Sequence, residues 1–192
     1  ENRHFFLSKY FRNIYDNAMQ HLPNLTTGIQ INRVEIWVTN KTGQTNDTRN
    51  IVALADLGEG QPANQMWGGK GASAVPSNDA NSQYADMVST YSAARDIEQV
   101  STVLEMLHDN ESGRNDYEKL EKARKLNSTE YTLNSALGYV SLKSTLQTDQ
   151  VLAVAFEYTY GGVTYQVGEF SSDITDVSKA LFVKALKNTS NN

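Results

Sequence analysis

The chain has 192 residues, 39% apolar and 9% aromatic, with a net charge of −5 and a pI near 5.2. This is a globular composition, long enough for one domain whose core stands without covalent staples, and its acidity leaves no electrostatic footprint for nucleic acid and no polybasic segment for an anionic membrane. Zero cysteines exclude disulfides, thiolate zinc sites and thiol nucleophiles together, and no window approaches the ~18 apolar residues of a membrane-spanning helix.

The opening ENRHFFLSKYFRN has no signal-peptide pattern, and with the trailing NTSNN it reads as a piece cut from a longer chain. From Phe5 to Gln20, Leu7, Phe11, Ile14 and Ala18, with Leu22 beyond, recur at spacings of three and four, which predicts an amphipathic helix ended by Pro23. In Ile31 to Thr39, Val34, Ile36 and Val38 alternate with Arg33, Glu35 and Thr39; Trp37 is the exception in a half-buried strand. IVALADL, Ile51 to Leu57, is apolar on both faces and suggests a central strand. Asn40, Gly43, Asn46 and Asp47 between the two strands supply turn chemistry, so the pair is expected to form a long-looped hairpin with a polar tip.

From Gly58 to Asn81 the composition shifts to Gly, Pro, Asn, Ala and Ser around Met66 and Trp67, which reads as a long functional or mobile loop. Tyr84 to Leu107, with Ile97, Val100, Val103, Leu104 and Leu107 on a face, and Asp116 to Leu126 are predicted helices joined by the turn HDNESGRN. Leu137 to Lys143 is predicted as a strand. Val151 to Phe170 reads as two strands about Gly161-Gly162, the dipeptide a type I′ turn requires, with Tyr160 facing Val163, Tyr158 facing Tyr165 and Phe156 facing Val167. Val177 to Leu186 is predicted as a short covering helix. The expected fold is α+β: a mainly antiparallel sheet of about five strands with an N-terminal helix, a central helical pair and a C-terminal helix packed on it.

Chemical motifs are sparse. Gly68-Gly69-Lys70-Gly71 lacks the phosphate-loop pattern, because Asn64 stands where the first Gly is needed and Gly71 where Ser or Thr is needed. His4, His21 and His108 have no metal-ligand spacing, and Asp109, Glu111 and Asp116 resemble a calcium loop only superficially. No cofactor or metal is expected. Asp56, Glu59, Glu157 and Glu169 could approach one another across a sheet, as glycoside chemistry would require, but nothing in the sequence brings them together. Tyr158, Tyr160 and Tyr165 read first as hairpin stabilisers and second as a sugar- or peptide-binding platform. Loops on rigid scaffolds carry contacts, so the candidate partner-contact residues are Asn40, Lys41, Thr42, Gln44 and Asn46 at the tip, and Met66, Trp67 and Lys70 in the glycine-rich loop.

Three blocks in order, ENRHFFLSKYFRNIYDNAMQHLP, INRVEIWVTN with TRNIVALADLGE, and EYTLNSALGYVSLKSTLQTDQVLAVAFEYTYGGVTYQVGEFSSD, resemble the SprA/Sov family. These are very large outer-membrane β-barrel translocons of Bacteroidota type IX secretion, needed for gliding in motile members. The resemblance covers nearly the whole chain and is weakest from Gln61 to Asn127. It implies a non-enzymatic soluble segment of a translocon in the cell envelope, with other secretion components or secreted cargo as partners and no catalytic residue to carry over. VLAVAF does not alternate as a membrane-barrel strand does, so this segment is not expected to span the membrane. In a bacterial protein the Asn-x-Ser/Thr tripeptides mean only polar loops. The reading from another class is a cell-surface, adhesin-like carbohydrate- or peptide-binding module; a hydrolase is third.

Overall fold

The computed structural model describes residues 3–20, 27–105 and 116–189. In chain order the elements are β1 (His4–Phe6), α1 (Lys9–Met19), β2 (Ile29–Val38), β3 (Thr48–Leu54), α2 (Gln83–Val88), α3 (Val100–Glu105), β4 (Tyr117–Lys125), β5 (Tyr131–Asn134), β6 (Tyr139–Leu142), β7 (Leu152–Tyr160), β8 (Val163–Val167) and β9 (Leu181–Lys187), with short 3-10 turns at Gln65–Trp67, Ser92–Arg95 and Ile97–Gln99. Among the described residues no helix is long and apolar enough to cross a membrane.

Five strands close into a barrel in the order β2, β4, β3, β9, β7 and back to β2. All neighbours are antiparallel except β3 and β9. The β2–β4 seam is short, pairing only Trp37 with Lys125 and Val38 with Arg124. β9 and β8 share one edge of β7: β9 pairs with Leu152 to Val154, and β8 with Phe156 to Tyr160. A separate sheet of β1, β6 and β5 packs alongside.

Two cores follow from this closure. Residues of all five barrel strands meet in one small cluster, Trp37, Ile51, Ala53, Leu120, Ala123, Ala153, Ala155, Leu181 and Val183, joined by Val151 and Phe170. This is the barrel interior. Four of its eleven residues are alanines, because eight strands already leave only enough room for ordinary side chains, and five leave less. The outward side chains, among them Ile36, Val52, Leu54, Val154, Phe156 and Phe182, form the larger core with Phe11 of α1, Met87, Leu104 and Val140. Strands buried on both faces therefore read as unbroken apolar runs.

The expected α+β sheet with packed helices is thus corrected to a mostly β fold with a closed five-stranded barrel, a second sheet and, among the described residues, three short α-helices. The β7–β8 hairpin has the expected register, with Tyr160 opposite Val163, Tyr158 opposite Tyr165 and Phe156 opposite Val167 about Gly161 and Gly162, whose φ values are +58° and +77°. β3 is central as expected, flanked by β4 and β9. It does not pair with β2, however, so the hairpin expected of these two strands is replaced by pairing of β2 with β7 along its whole length. The N-terminal helix starts later, at Lys9, where Ser8 in an extended conformation (φ −157°) accepts a hydrogen bond from the Tyr10 amide; Pro23 lies outside the described residues.

Three helical expectations fail for local reasons. Asp116 to Leu126 is strand β4, in which a bulge at Lys122 (φ +51°) turns both Leu120 and Ala123 inward. That spacing of three imitates a helix face. Val177 to Leu186 contains strand β9 instead of a helix, with Leu181 and Val183 facing the interior and Phe182 the outer core. The segment expected as a helix from Tyr84 does place Ile97, Val100 and Leu104 on a buried side, but up to Glu105 it consists of short pieces broken around Ser89 and Asp96, and Leu107 lies outside the described residues.

Candidate functional site

The glycine-rich segment is built into the fold. At the end of β3 the Asp56 carboxylate accepts the amides of Ala63 (2.7 Å) and Asn64 (3.1 Å), and the Asn81 side chain donates to the carbonyls of Asp56 and Glu59. Trp67, 3% exposed, is a core residue and is withdrawn from the contact candidates; Met66, 49% exposed, and Lys70 do face solvent. Backbone bonds from Gly71 to Gly60, Lys70 to Ala80 and Ser82 to Trp67 fold the segment upon itself. A Cβ on Gly69 would sit 2.1 Å from the Gly60 carbonyl oxygen, so the GGKG run needs glycine for close backbone packing.

The four carboxylates do not converge on a common site. Buried Glu59 pairs with Lys184 (2.8 Å) and accepts from the Ser8 hydroxyl and the Lys9 amide, capping α1. Burial pushes its pKa up, but Lys184 and the Lys9 amide outweigh that and hold it below the usual carboxylate range. Buried Glu169 accepts both terminal nitrogens of Arg95 (2.5 and 2.6 Å), the Tyr84 hydroxyl and the Phe182 amide, while the Arg95 guanidinium lies 3.8 Å from the centre of the Phe182 ring. Burial, followed by the charge of Glu169, drives the Tyr84 hydroxyl pKa strongly upward. Half-buried Glu157 stands on β7 opposite Gln166. Among the described residues no group of three His, Asp or Glu side chains is placed to hold a metal ion. His4 meets the Ser141 hydroxyl at 2.7 Å; His21, His108, Asp109 and Glu111 lie outside the described residues, and Asp116 is buried beside Asn64.

The tip between β2 and β3 is exposed but partly tied to the fold. The Asn40 amide donates to the carbonyls of Gln44 and Lys122, Gln44 donates to the Asn46 carbonyl, and Lys41 pairs with Asp149 and Gln147. Thr42 and Asn46 remain on the surface. The tyrosine platform is not a surface: Tyr158 is fully buried, donates to the Pro76 carbonyl (2.6 Å), stacks on Tyr165 and meets Phe11 edge-on.

Two groups escaped the sequence reading. Arg49, 8% exposed, donates to the carbonyls of Ser171, Ile174, Asp176 and Lys179, while Arg33 lies over the Phe170 ring and Glu35 accepts from Ser171, so these charges tie residues 170–180 to the barrel. Their signal was position: Arg33, Glu35 and Arg49 share strand faces with Trp37 and Ile51, which point inward. The second is a depression beside α1. Two adjoining hollows of about 220 and 340 Å³ share Lys9, Arg12 and Glu59 on their lining. The chain matches no protein-family model and no curated protein.

Proposed function

We propose that this chain is a non-enzymatic contact domain of an outer-membrane secretion translocon of the SprA/Sov kind, placed in the cell envelope and working through other secretion components or cargo. The observation that carries the non-enzymatic half is that Asp56, Glu59 and Glu169 are each buried and matched by partners that complete the fold. A general acid or base needs a reachable proton and a substrate beside it. The translocon half rests on the ordered sequence blocks. A barrel packed with Trp37, Phe170 and alanines supports a binding element over a conduit. Lys41, Thr42, Asn46, Met66 and Lys70 are the contact residues that stay exposed.

The test is genetic. In a bacterium whose translocon contains this segment, replacing Glu1 to Asn192 with a short flexible linker is expected to abolish export of that pathway's cargo, leave other exported proteins unaffected and retain the barrel in the outer membrane. Glu157→Gln in the intact segment is expected to leave export unchanged. Normal export without the segment would contradict the proposal.

A further inference from the structure

We propose that the cleft between α1 and the glycine-rich segment docks an extended acidic segment of a partner protein, with carboxylates at alternate positions; this names the partner chemistry for the contact reading above and rests on it. One wall is the first turn of α1, with Lys9, Arg12 and Asn13; the other is Gly60, Gln61, Gly71, Ala72 and Ala74.

Charge sets the class of partner. Lys9 and Arg12 are exposed, and neither has a hydrogen bond or ion pair from its charged group among the described residues; Arg12 only lies 5.8 Å from the Phe6 ring. Glu59 completes the charged lining, so two unpaired cations stand beside one carboxylate in a chain of net charge −5. Glu59 does not cancel the attraction, because Lys184 and the α1 amide already neutralise it.

Spacing sets the pattern. Side chains three apart on a helix stand about 5–6 Å apart at Cβ, which is the relation of Lys9 to Arg12. In an extended chain, residues two apart share a face and lie roughly 6.6 Å apart. An acidic-x-acidic strand therefore presents its carboxylates at nearly the period of these cations. Apart from Gln61 the opposite wall carries only glycines and alanines, and where a Cβ on Gly71 would point there is open space, so a backbone can lie close. Asn13 and Gln61 are exposed amides able to pair with that backbone.

The experiment titrates the 192-residue chain, followed by amide NMR, with a six-residue peptide bearing Asp at alternate positions, its Asn counterpart, and inorganic phosphate. The Asp peptide is expected to shift Lys9, Arg12, Gly60 and Gly71, to bind about tenfold more weakly to Lys9→Gln/Arg12→Gln, and to weaken as salt rises. Equal binding of the Asn peptide, or no loss in the double variant, would overturn the proposal. Phosphate matching the peptide's affinity would do the same, by reducing the cleft to a simple anion site. The two readings fail separately: peptide binding with normal export after removal of the domain would sink the translocon reading alone, whereas lost export with no peptide binding would sink the cleft alone.

Discussion

The tip at residues 39–47 and the segment at 58–81 both draw on Asn, Gln and Gly, yet they do opposite work. In the tip, Thr42, Gly43 and Asn46 face solvent, and the polar side chains mainly close the turn on itself. In the second segment, Asn64 and Asn81 are buried, their amides serve buried backbone and carboxylate groups, and Trp67 enters the core. Composition alone cannot separate the two. What separates them is Trp67 and the flanking Asp56 and Glu59, which give the second segment something to bury and something to bind. Removing Gln61 to Ser77 is therefore costly, although closure entropy alone would make it cheap. It would delete the Trp67 anchor, the amides held by Asp56 and the Pro76 carbonyl that satisfies Tyr158.

The largest expected break in that comparison is Trp67→Ala, which should cost about 3–5 kcal/mol in chemical denaturation, as deletions of buried aromatics do. A cost like that of an exposed residue would return the segment to the status of a loose loop.

Next comes Glu59→Gln, which leaves the buried Lys184 ammonium without its countercharge and should cost about 3 kcal/mol at neutral pH. The pH dependence sharpens this test. Glu59 has a folded-state pKa below its ordinary value of 4.5, so its contribution is fully present above that value and is lost as pH falls through the folded pKa. Wild-type Tm should therefore drop more steeply than that of Glu59→Gln on acidification below about 4.5; parallel curves would contradict the pairing.

The smallest effect should be Lys41→Ala in the tip, under about 1 kcal/mol, because its pair with Asp149 is exposed and screened. A larger loss would mean that the tip, too, is structural.

The same contrast explains what was legible in the sequence. The β7–β8 hairpin could be read because Gly161-Gly162 and the alternating aromatics are local signals that tertiary context reinforced. β3 was legible as a central strand because burial on both faces leaves an unbroken apolar run. That same doubly buried state hid β9, since Leu181, Phe182 and Val183 feed two cores and their run reads equally well as a helix. β4 was hidden by helix-favouring Glu, Lys, Ala and Arg together with the bulge at Lys122, and barrel closure overrides those propensities. Of the candidate contact residues, Lys41, Thr42, Asn46, Met66 and Lys70 are exposed, whereas Trp67 is buried, because an aromatic among glycines reads alike as an anchor or a lure. The Lys9 and Arg12 cleft had no signature, since its second wall comes from residues some fifty positions away.

Amide hydrogen exchange on the intact chain tests the central contrast most directly. The amides of Lys70, Gly71 and Ser82, bonded to the carbonyls of Ala80, Gly60 and Trp67, should be protected like those of β3, while Thr42 and Gly43 exchange rapidly. Exchange across residues 61–80 as fast as at the tip would contradict the account.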